Sequence, residues 1–327
     1  MDCRSRVVCV TGASGYVASW LVKLLLLNGY TVKGTVRDLG KAGKVAHLKA
    51  LEGAQERLLL FEADLIEEGS LDSILHDCVG LFHTASPVLY SITDPQKQLI
   101  EPSVNGTLNV LKSCTKAPSI KRVVLTSSIA SVTLNRNPRG PDTIMDETWF
   151  SDRELCIETK QWYWLAKTLA EQTAVKYAEQ NGIDLVVMNP GFVIGPLLQP
   201  TLNASSHFIL DIIKGKNVFP DYQFVDVRDV ASAHVMALED SSANGRYILV
   251  ESSVDHYEAV QFLHELVSPS HNNLHQNVTG DLTFKVSKKK AESLGLNFIP
   301  MEVSFKDMIE SLKHKNFLHI WKRRDQC

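Results

Sequence analysis

Near the start of the chain, an apolar strand pattern runs directly into a glycine turn and then into an apolar helix. The strand pattern covers Val7–Val10, and the turn that follows reads TGASGYVA over residues 11–18. Gly12 supplies the tight turn, Gly15 lets the backbone approach an anion closely, and Ala18 keeps helix and strand close together. The free N–H groups and the positive dipole at the helix start then face that anion. This strand–turn–helix unit predicts a domain that binds the pyrophosphate of a dinucleotide.

Apolar runs alternate with helical patterns through the first half of the chain, which predicts a parallel sheet covered by helices. The strand candidates are Val7–Val10, Thr31–Val36, Leu58–Glu62, Gly80–His83, Arg122–Thr126 and Leu185–Asn189. The helix candidates are Ala18–Asn28, Pro102–Thr115 and Thr159–Asn181. A strand edge followed by a helix is expected over 224–234, and a return strand over 246–250. The predicted fold class is α/β, a doubly wound parallel sheet of the Rossmann type with a smaller C-terminal α+β domain for the substrate.

The length of 327 residues allows one large domain or two modest ones. We expect a dinucleotide-binding domain over 1–195 and 221–250, and a substrate domain over 196–220 and 251–327. The net charge of −3 provides no basic field, so neither nucleic acid nor a membrane is an expected partner. The apolar stretch 20–27 is too short to span a bilayer, and only six residues, several charged, precede the first strand. A cytoplasmic location is therefore predicted.

The cysteines and histidines give no sign of a metal site. The six cysteines show no C-x-x-C spacing, and in a cytosolic chain they are expected to be free thiols. The histidines at 256, 264, 271 and 275 lack the spacing of metal ligands. No metal is therefore predicted.

The residues that follow the second and third strands indicate which dinucleotide is bound. Arg37 directly follows the second strand, and Lys44 follows within a glycine-containing loop. An arginine at this point accommodates a 2′-phosphate, whereas an acidic residue such as Asp38 would hold a 2′-hydroxyl. Two cations that converge on one phosphate favour NADP, although both could instead be surface charges without a ligand. Asp64 and Leu65 would lie beside the adenine, with a helix cap as the alternative role of Asp64.

A tyrosine–lysine pair and a serine pair together indicate carbonyl chemistry. Tyr163 and Lys167 are four residues apart on a predicted helix, so both project from one face. A nearby ammonium lowers the pKa of a phenol, which can then donate a proton to a carbonyl oxygen as hydride arrives at the carbon. The fifth strand ends in Ser127 and Ser128, where a hydroxyl can orient that carbonyl. We prefer Ser128, while Ser127 stays open, as do an aromatic helix face and a simple Ser/Thr turn as non-catalytic readings.

Together these motifs resemble the extended short-chain dehydrogenase/reductase family. The resemblance is to its plant branch of dihydroflavonol reductases, cinnamoyl-CoA reductases and cinnamyl alcohol or phenylacetaldehyde reductases. It rests on VTGASGYVASW from Val10, TVRD from Thr35, FHTASP from Phe82, VLTSS from Val124, YxxxKTLAE with Tyr163 and Lys167, and NPGFVIGP from Asn189. It implies NADP as cofactor and Ser128, Tyr163 and Lys167 as catalytic residues. The predicted cofactor contacts are Gly12, Ser14, Gly15, Tyr16, Val17, Arg37, Lys44, Asp64, Leu65, Thr84, Ala85, Ser86, Thr126, Lys167, Pro190 and Val193.

Three departures from the family patterns reduce the range of candidate substrates. Cinnamoyl-CoA reductases typically read NWYCYGK around the tyrosine, whereas this chain has Gln161 before it and Trp-Leu-Ala over 164–166 after it. Their HILK stretch, associated with CoA handling, ends here in Asp211, which argues against a polyanionic CoA thioester. Dihydroflavonol reductases usually carry an asparagine shortly after the serine pair, where this chain has Val132 and Thr133. What remains is an oxidoreductase of aromatic aldehydes and alcohols.

The sequence therefore predicts an NADPH-dependent enzyme that reduces aromatic or phenylpropanoid aldehydes to alcohols, reversibly, with the proton from Tyr163. The open alternatives are a dihydroflavonol reductase, a cinnamoyl-CoA reductase, a nucleotide-sugar epimerase or dehydratase, and a non-catalytic NADP sensor. A small molecule is the expected partner, and a monomer or weak dimer the expected state. The candidate substrate-pocket residues are Pro87, Val88, Tyr90, Phe192, Ile194, Leu197, Leu198, Phe208 and Phe224.

Overall fold

The computed structural model describes residues 6–88, 92–137, 140, 142–216, 221–267 and 284–318. The strands are β1 (Val7–Thr11), β2 (Thr31–Val36), β3 (Leu58–Glu62), β4 (Gly80–His83), β5 (Arg122–Thr126), β6 (Ile144–Met145), β7 (Leu185–Pro190), β8 (Phe192–Ile194), β9 (Asp221–Asp226), β10 (Gly245–Leu249), β11 (Ser252–Asp255) and β12 (Lys285–Val286). The helices are α1 (Tyr16–Leu27), α2 (Ala42–Lys49), α3 (Ala54–Arg57), α4 (Glu101–Thr115), α5 (Ala130–Thr133), α6 (Arg153–Glu158), α7 (Trp162–Asn181), α8 (Ala204–Ile213), α9 (Val227–Glu239), α10 (His256–Val267), α11 (Lys289–Ser293) and α12 (Met301–His314). A π-helical segment, Gln96–Ile100, leads directly into α4.

The central sheet places the glycine turn at its middle. Among the described residues it has seven strands in the order β10-β7-β5-β4-β1-β2-β3, and the pairs are parallel. The chain runs outward from β1 through β2 to β3, and then returns to place β4 on the other side of β1. Ligands of such sheets bind outside the carboxyl ends of the strands where the order reverses, which here is between β1 and β4. The predicted doubly wound parallel sheet is confirmed.

The sheet core explains why its strands could be found from the sequence. Val8, Cys9 and Val10 of β1 are fully buried, as is all of β4. Strands that are covered by helices on both faces read as continuous apolar runs, which turn residues then interrupt. The first five strand candidates therefore match the observed strands within one residue, and the sixth, β7, extends one residue further than predicted.

A smaller sheet lies beyond the carboxyl end of β7. It has the order β11-β9-β8, in which β8 is parallel to β9 and β11 is antiparallel to it. Helices α8, α10 and α12 contribute to the apolar cluster that packs on this sheet. The 224–234 pattern is confirmed as the end of β9 followed by α9. The division of the chain into two domains stays a prediction.

The predicted helix Thr159–Asn181 is wrong at its start. The structure has two helices here, because the chain turns over residues 159–161 and α7 begins at Trp162. Lys160 adopts a left-handed backbone conformation with φ of 54°, and Asp152 caps the preceding α6 by accepting a hydrogen bond from Leu155 N (3.0 Å). Neither glycine nor proline marks this turn, so the helical pattern appeared continuous. Tyr163 consequently lies in the first turn of α7.

Candidate active site

The glycine turn after β1 has a backbone geometry that only glycine adopts without strain. Gly12 has φ of +64°, and a Cβ atom built on it would lie 2.9 Å from the Cβ of Ala85. Gly15 N donates to Gly12 O (2.9 Å), which closes the turn. Gly15 is also the N-cap of α1 and carries no side-chain acceptor. The first N–H groups of α1 are therefore available to an anion at this position.

A cleft of about 280 Å³ opens between this turn, the ends of β2 and β3, and α4. It brings together half of the predicted cofactor residues, namely Gly12, Ser14, Gly15, Arg37, Asp64, Leu65, Ala85 and Ser86. Pro87, predicted for the substrate pocket, lines this cleft as well. The sequence analysis missed eight further lining residues, which are Thr35, Val36, Ala63, Ile66, Pro102, Ser103, Gly106 and Thr107.

One buried hydroxyl on the α4 side of the cleft shows that a polar ligand fits there. Ser103 is 4% exposed, and its Oγ has no hydrogen-bond partner among the described residues. A buried polar group without a partner is costly, so such groups usually mark a ligand or a water site. Together with the glycine turn and the open start of α1, this hydroxyl fits a dinucleotide. Ser103, Gly106 and Thr107 lie three and four residues apart, and that helical spacing of small residues was the available signal.

The cations beyond β2 are only partly placed as predicted. Arg37 lies at the cleft and is exposed. Asp38, which would favour a ribose 2′-hydroxyl, pairs with Lys41 (2.9 Å) and accepts from Gly40 N (2.9 Å). Its carboxylate therefore has partners within its own loop. Lys44 is exposed on α2 and is not among the described residues that line the cleft. The structure therefore brings Arg37, but not Lys44, to the cleft.

Several predicted cofactor residues use their side chains inside the protein. The Tyr16 hydroxyl donates to Gly195 O (2.8 Å), and the Thr84 hydroxyl donates to the main chain of β1 at Thr11. Burial raises the pKa of Tyr16 well above its ordinary value. Contacts from these two residues to a ligand would therefore come from the main chain. Asp64 caps no helix among the described elements; its Oδ1 accepts from Ile66 N (3.0 Å) within a local turn.

The remaining predicted cofactor residues do not line this cleft; Thr126, Pro190 and Val193 lie on β5, β7 and β8. Thr126 Oγ1 bonds His234 Nε2 (2.7 Å). Pro190 O accepts a hydrogen bond from a backbone N–H of the β5–α5 loop (2.8 Å), and Val193 O accepts from Ser205 Oγ (2.6 Å). Val17, on α1, is half-buried between two apolar clusters. Thr126 and Pro190 adjoin the loop that carries the serine pair.

The two serines after β5 point in different directions. The Ser127 hydroxyl donates to the buried carboxylate of Glu171. The Ser128 side chain instead lies close enough to the phenol of Tyr163 to lower its pKa, and Ser128 Oγ accepts from Ala130 N (3.1 Å). The geometry therefore supports the choice of Ser128 over Ser127 as the serine that faces Tyr163.

Tyr163 and Lys167 share one face of α7, as the spacing predicted. Lys167 is 7% exposed; its Nζ lies 6.0 Å from the centre of the Tyr163 ring and donates to Thr126 O (3.4 Å). Burial lowers the pKa of Lys167 to about 8, although the charge of Glu171 opposes this shift. Burial raises the pKa of Tyr163, and the hydrogen bond from Ser128 opposes it. The pKa of Tyr163 was expected to fall, and it rises because burial outweighs its polar neighbours.

Two buried histidines flank these groups, and the sequence analysis gave neither a role. His83 Nδ1 bonds Thr11 Oγ1 (2.9 Å) and His83 Nε2 bonds Thr107 Oγ1 (3.2 Å). Burial lowers the pKa of His83 to about 3 and that of His234 to about 4. Both rings are therefore neutral near pH 7. They hold threonines in place and add no cationic charge beside Lys167.

The predicted substrate residues fall into two groups. Phe192 and Phe208 are half-buried and stack with 5.0 Å between ring centres. Phe224 is fully buried against Phe305 (4.9 Å) and Tyr222 (5.6 Å). Phe224 is therefore a core residue rather than part of a pocket wall. Ile194 and Leu197 are likewise buried, Leu198 is half-buried, Val88 is 49% exposed, and Tyr90 lies outside the described residues.

The described part of the chain offers neither a metal-binding group nor a membrane-spanning helix. It contains no group of three histidine, cysteine or acidic side chains that could hold a metal ion. None of its helices is both long and apolar enough to cross a membrane. Cys9, Cys78, Cys114 and Cys156 are buried free thiols.

Comparison with known proteins identifies the family. The model of the NAD dependent epimerase/dehydratase family matches residues 8–250. The chain belongs to this family. It is 54% identical to "Cinnamoyl-CoA reductase CAD2" of Medicago truncatula, over 96% of this chain and 98% of the relative. The plant reductase branch expected from the sequence is thereby confirmed.

Two solved structures share the fold of this family member over nearly the whole chain. Vestitone reductase from alfalfa has a TM-score of 0.83 and 34% identity, covering 95% of this chain and 99% of that one. The yeast methylglyoxal/isovaleraldehyde reductase Gre2, solved with NADPH, has a TM-score of 0.84 and 27% identity, covering 95% of this chain and 100% of that one. Both neighbours are reductases.

Proposed function

We propose that this enzyme reduces the free aldehyde group of an aromatic, phenylpropanoid-type substrate to the alcohol. The enzyme is an NADP-dependent oxidoreductase, as its family and the reductases with its fold indicate. The observation that carries the proposal is that Ser128, just beyond the end of β5, lies close enough to the phenol of Tyr163 on α7 to lower its pKa. Ile129 N, next to Ser128, donates to Pro190 O (2.8 Å) at the end of β7. Phe192, which stacks on Phe208, is two residues beyond Pro190 in the chain.

Each polar residue has a distinct role in this reaction. When bound, NADPH supplies the hydride. Tyr163 donates its phenolic proton to the carbonyl oxygen, and Ser128 orients that oxygen by hydrogen bonding. Because burial raises the pKa of Tyr163, the phenol stays protonated until it transfers its proton to the carbonyl oxygen. Lys167 carries the cationic charge next to this pair, held by its bond to Thr126 O.

The aromatic pair provides a surface for a planar substrate. Phe192 and Phe208 stack with 16° between their ring planes, and both are half-buried. A third ring added to such a pair contributes about 0.5–1.5 kcal/mol beyond its area burial. Aromatic aldehydes match this surface, whereas small aliphatic aldehydes do not.

A phenylpropanoid CoA thioester is the second candidate substrate, and the name of the 54% identical relative favours it. Asp211 on α8 argues for the free aldehyde, because a carboxylate repels the phosphates of CoA where a lysine would attract them. The two reactions differ in their products, since thioester reduction releases a thiol and aldehyde reduction does not. A cytoplasmic location and a monomer or weak dimer are part of this proposal.

The experiment compares a hydroxycinnamaldehyde, its CoA thioester and a dihydroflavonol at equal concentration. It follows the loss of NADPH absorbance together with thiol release. We expect kcat/KM for the aldehyde to exceed that for the thioester by about 10-fold or more, as one unfavourable charge contact of about 1.4 kcal/mol would give. Asp211→Lys should narrow this ratio, while Glu302→Lys, the same charge change at an exposed position of α12, should leave it unaltered. A thioester preference in the unmodified enzyme would contradict the proposal. NADPH binding without turnover of any carbonyl would instead favour a sensor.

A further inference from the structure

A buried carboxylate lies one helical turn beyond Lys167. Glu171 is 1% exposed. With Tyr163 and Lys167 it forms a series spaced by four residues, so all three lie along the same face of α7. A buried charge is costly unless it is paired and hydrogen-bonded, so this residue needs partners on other elements.

The partners of Glu171 come from four different segments of the chain. Its Oε1 accepts from Arg246 Nε on β10 (2.6 Å). Its Oε2 accepts from the Ser127 hydroxyl, and lies 2.6 Å from Ser131 Oγ and 2.8 Å from Asn189 Nδ2. One carboxylate therefore joins α7 to the loop after β5, to α5, to the end of β7 and to β10.

The Ser131 hydroxyl and the Asn189 amide lie between this carboxylate and the main chain of Ser128. Ser128 O lies 2.8 Å from Ser131 Oγ and 3.2 Å from Asn189 Nδ2. Ser127, the preceding residue, is bound to the carboxylate directly. The position of Ser128 relative to α7 is thus set by groups that converge on Glu171.

Arg246 is fixed on its far side as well. Its Nη1 donates to Glu147 O (2.8 Å) and Trp149 O (2.6 Å), and its guanidinium lies 3.9 Å from the centre of the Phe150 ring. The arginine is 8% exposed. Both partners of the ion pair are held by several contacts, and these fix the orientation of the Glu171 carboxylate.

We propose that Glu171 is a positioning residue of the active site. With Arg246 it fixes the Ser128 backbone against the helix that carries Tyr163 and Lys167, so that both hydroxyls reach one carbonyl oxygen. The inference rests on the proposed function, since it assigns Glu171 to the same reaction. Glu171 touches neither substrate nor cofactor and acts through Ser128 and Lys167.

The carboxylate also affects the charge of Lys167, which gives a readout that a purely structural role would not. The charged and titratable groups around Lys167 are Glu171 and Tyr163 on its own helix and His83 on β4, with Arg246 behind Glu171. Glu171 raises the pKa of Lys167 against the effect of burial, and His83 is neutral. Removing the carboxylate therefore lowers the pKa of Lys167, and the ammonium is lost at a lower pH.

The test is Glu171→Gln in the full-length enzyme, measured as kcat, KM, NADPH affinity by fluorescence and the pH profile of kcat. We expect kcat to fall about 100-fold, the effect of a small misplacement of reacting groups, with NADPH affinity nearly unchanged. The alkaline limb of the profile should move to lower pH. Ser131→Ala removes one hydroxyl and no charge, so it tests the same network if Glu171→Gln does not fold; kcat should then fall about fivefold.

Asp184→Asn is the matched control. It breaks another arginine–carboxylate pair of the same sheet, Arg122 Nε to Asp184 Oδ2 (2.9 Å), at the opposite end of β5 and β7. It should lower the melting temperature but keep kcat and the pH profile. A Glu171→Gln enzyme with the same behaviour as Asp184→Asn would overturn the positioning role. Tyr163→Phe separates the two proposals: if it kept most activity, the mechanism itself would fail, whereas loss there with full activity in Glu171→Gln would refute only this inference.

Discussion

The cofactor cleft and the aromatic cluster on the small sheet are built in opposite ways. The cleft depends on the backbone: a glycine at φ of +64°, an open helix start and short contacts within the first part of the chain. The cluster depends on side chains brought from distant positions, with Phe192, Phe208, Phe224 and Phe305 packed around Tyr222 or each other. A special backbone geometry can be recognised from a short sequence motif, as the glycine turn was. Packing between distant side chains cannot.

The largest effect expected from this contrast is in the aromatic cluster. Phe224→Ala should lower the free energy of unfolding by about 3–5 kcal/mol, because it opens a cavity in a fully buried core. Phe192→Ala, at a half-buried ring, should cost less than half of that and raise KM for an aromatic aldehyde instead. Chemical denaturation and steady-state kinetics of the two variants check this. Equal stability losses, with no change in KM for Phe192→Ala, would show that both rings belong to the core.

The same contrast explains what the sequence could predict. Strands β1, β4 and β5 were found because buried parallel strands are continuous apolar runs that end at turn residues. Tyr163 and Lys167 were found because a helix fixes the direction of residues four apart. Glu171 stood in the YxxxKTLAE motif but was given no role, because its partner Arg246 is 75 positions away in the sequence. The turn at Lys160 was missed because a left-handed lysine has no sequence signal.

The second prediction concerns the cofactor cleft and separates its two predicted cations. Arg37→Ala should weaken NADPH binding by about 10- to 100-fold, the value of a lost hydrogen bond to a charged group, and leave NADH binding nearly unchanged. Lys44→Ala should change both affinities little, since Lys44 does not line the cleft among the described residues. Titration of each variant with both cofactors measures the ratio. If Lys44→Ala lost as much NADPH affinity as Arg37→Ala, the phosphate would be held by α2 as well.

The smallest expected effect concerns the reason why residue 12 is a glycine. Either its positive φ requires glycine, or a side chain there would come too close to Ala85. Gly12→Ala and Gly215→Ala both place a side chain at positive φ, +64° and +74°, and each should cost about 1 kcal/mol of stability for that reason alone. A Cβ on Gly215 meets no atom within 4 Å, whereas one on Gly12 would lie 2.9 Å from Ala85 Cβ. Gly12→Ala should therefore lose additional stability and weaken NADPH binding, while Gly215→Ala keeps its NADPH affinity. Equal losses of stability with unchanged affinity in both variants would mean that Ala85 can move, and that the angle alone selects glycine.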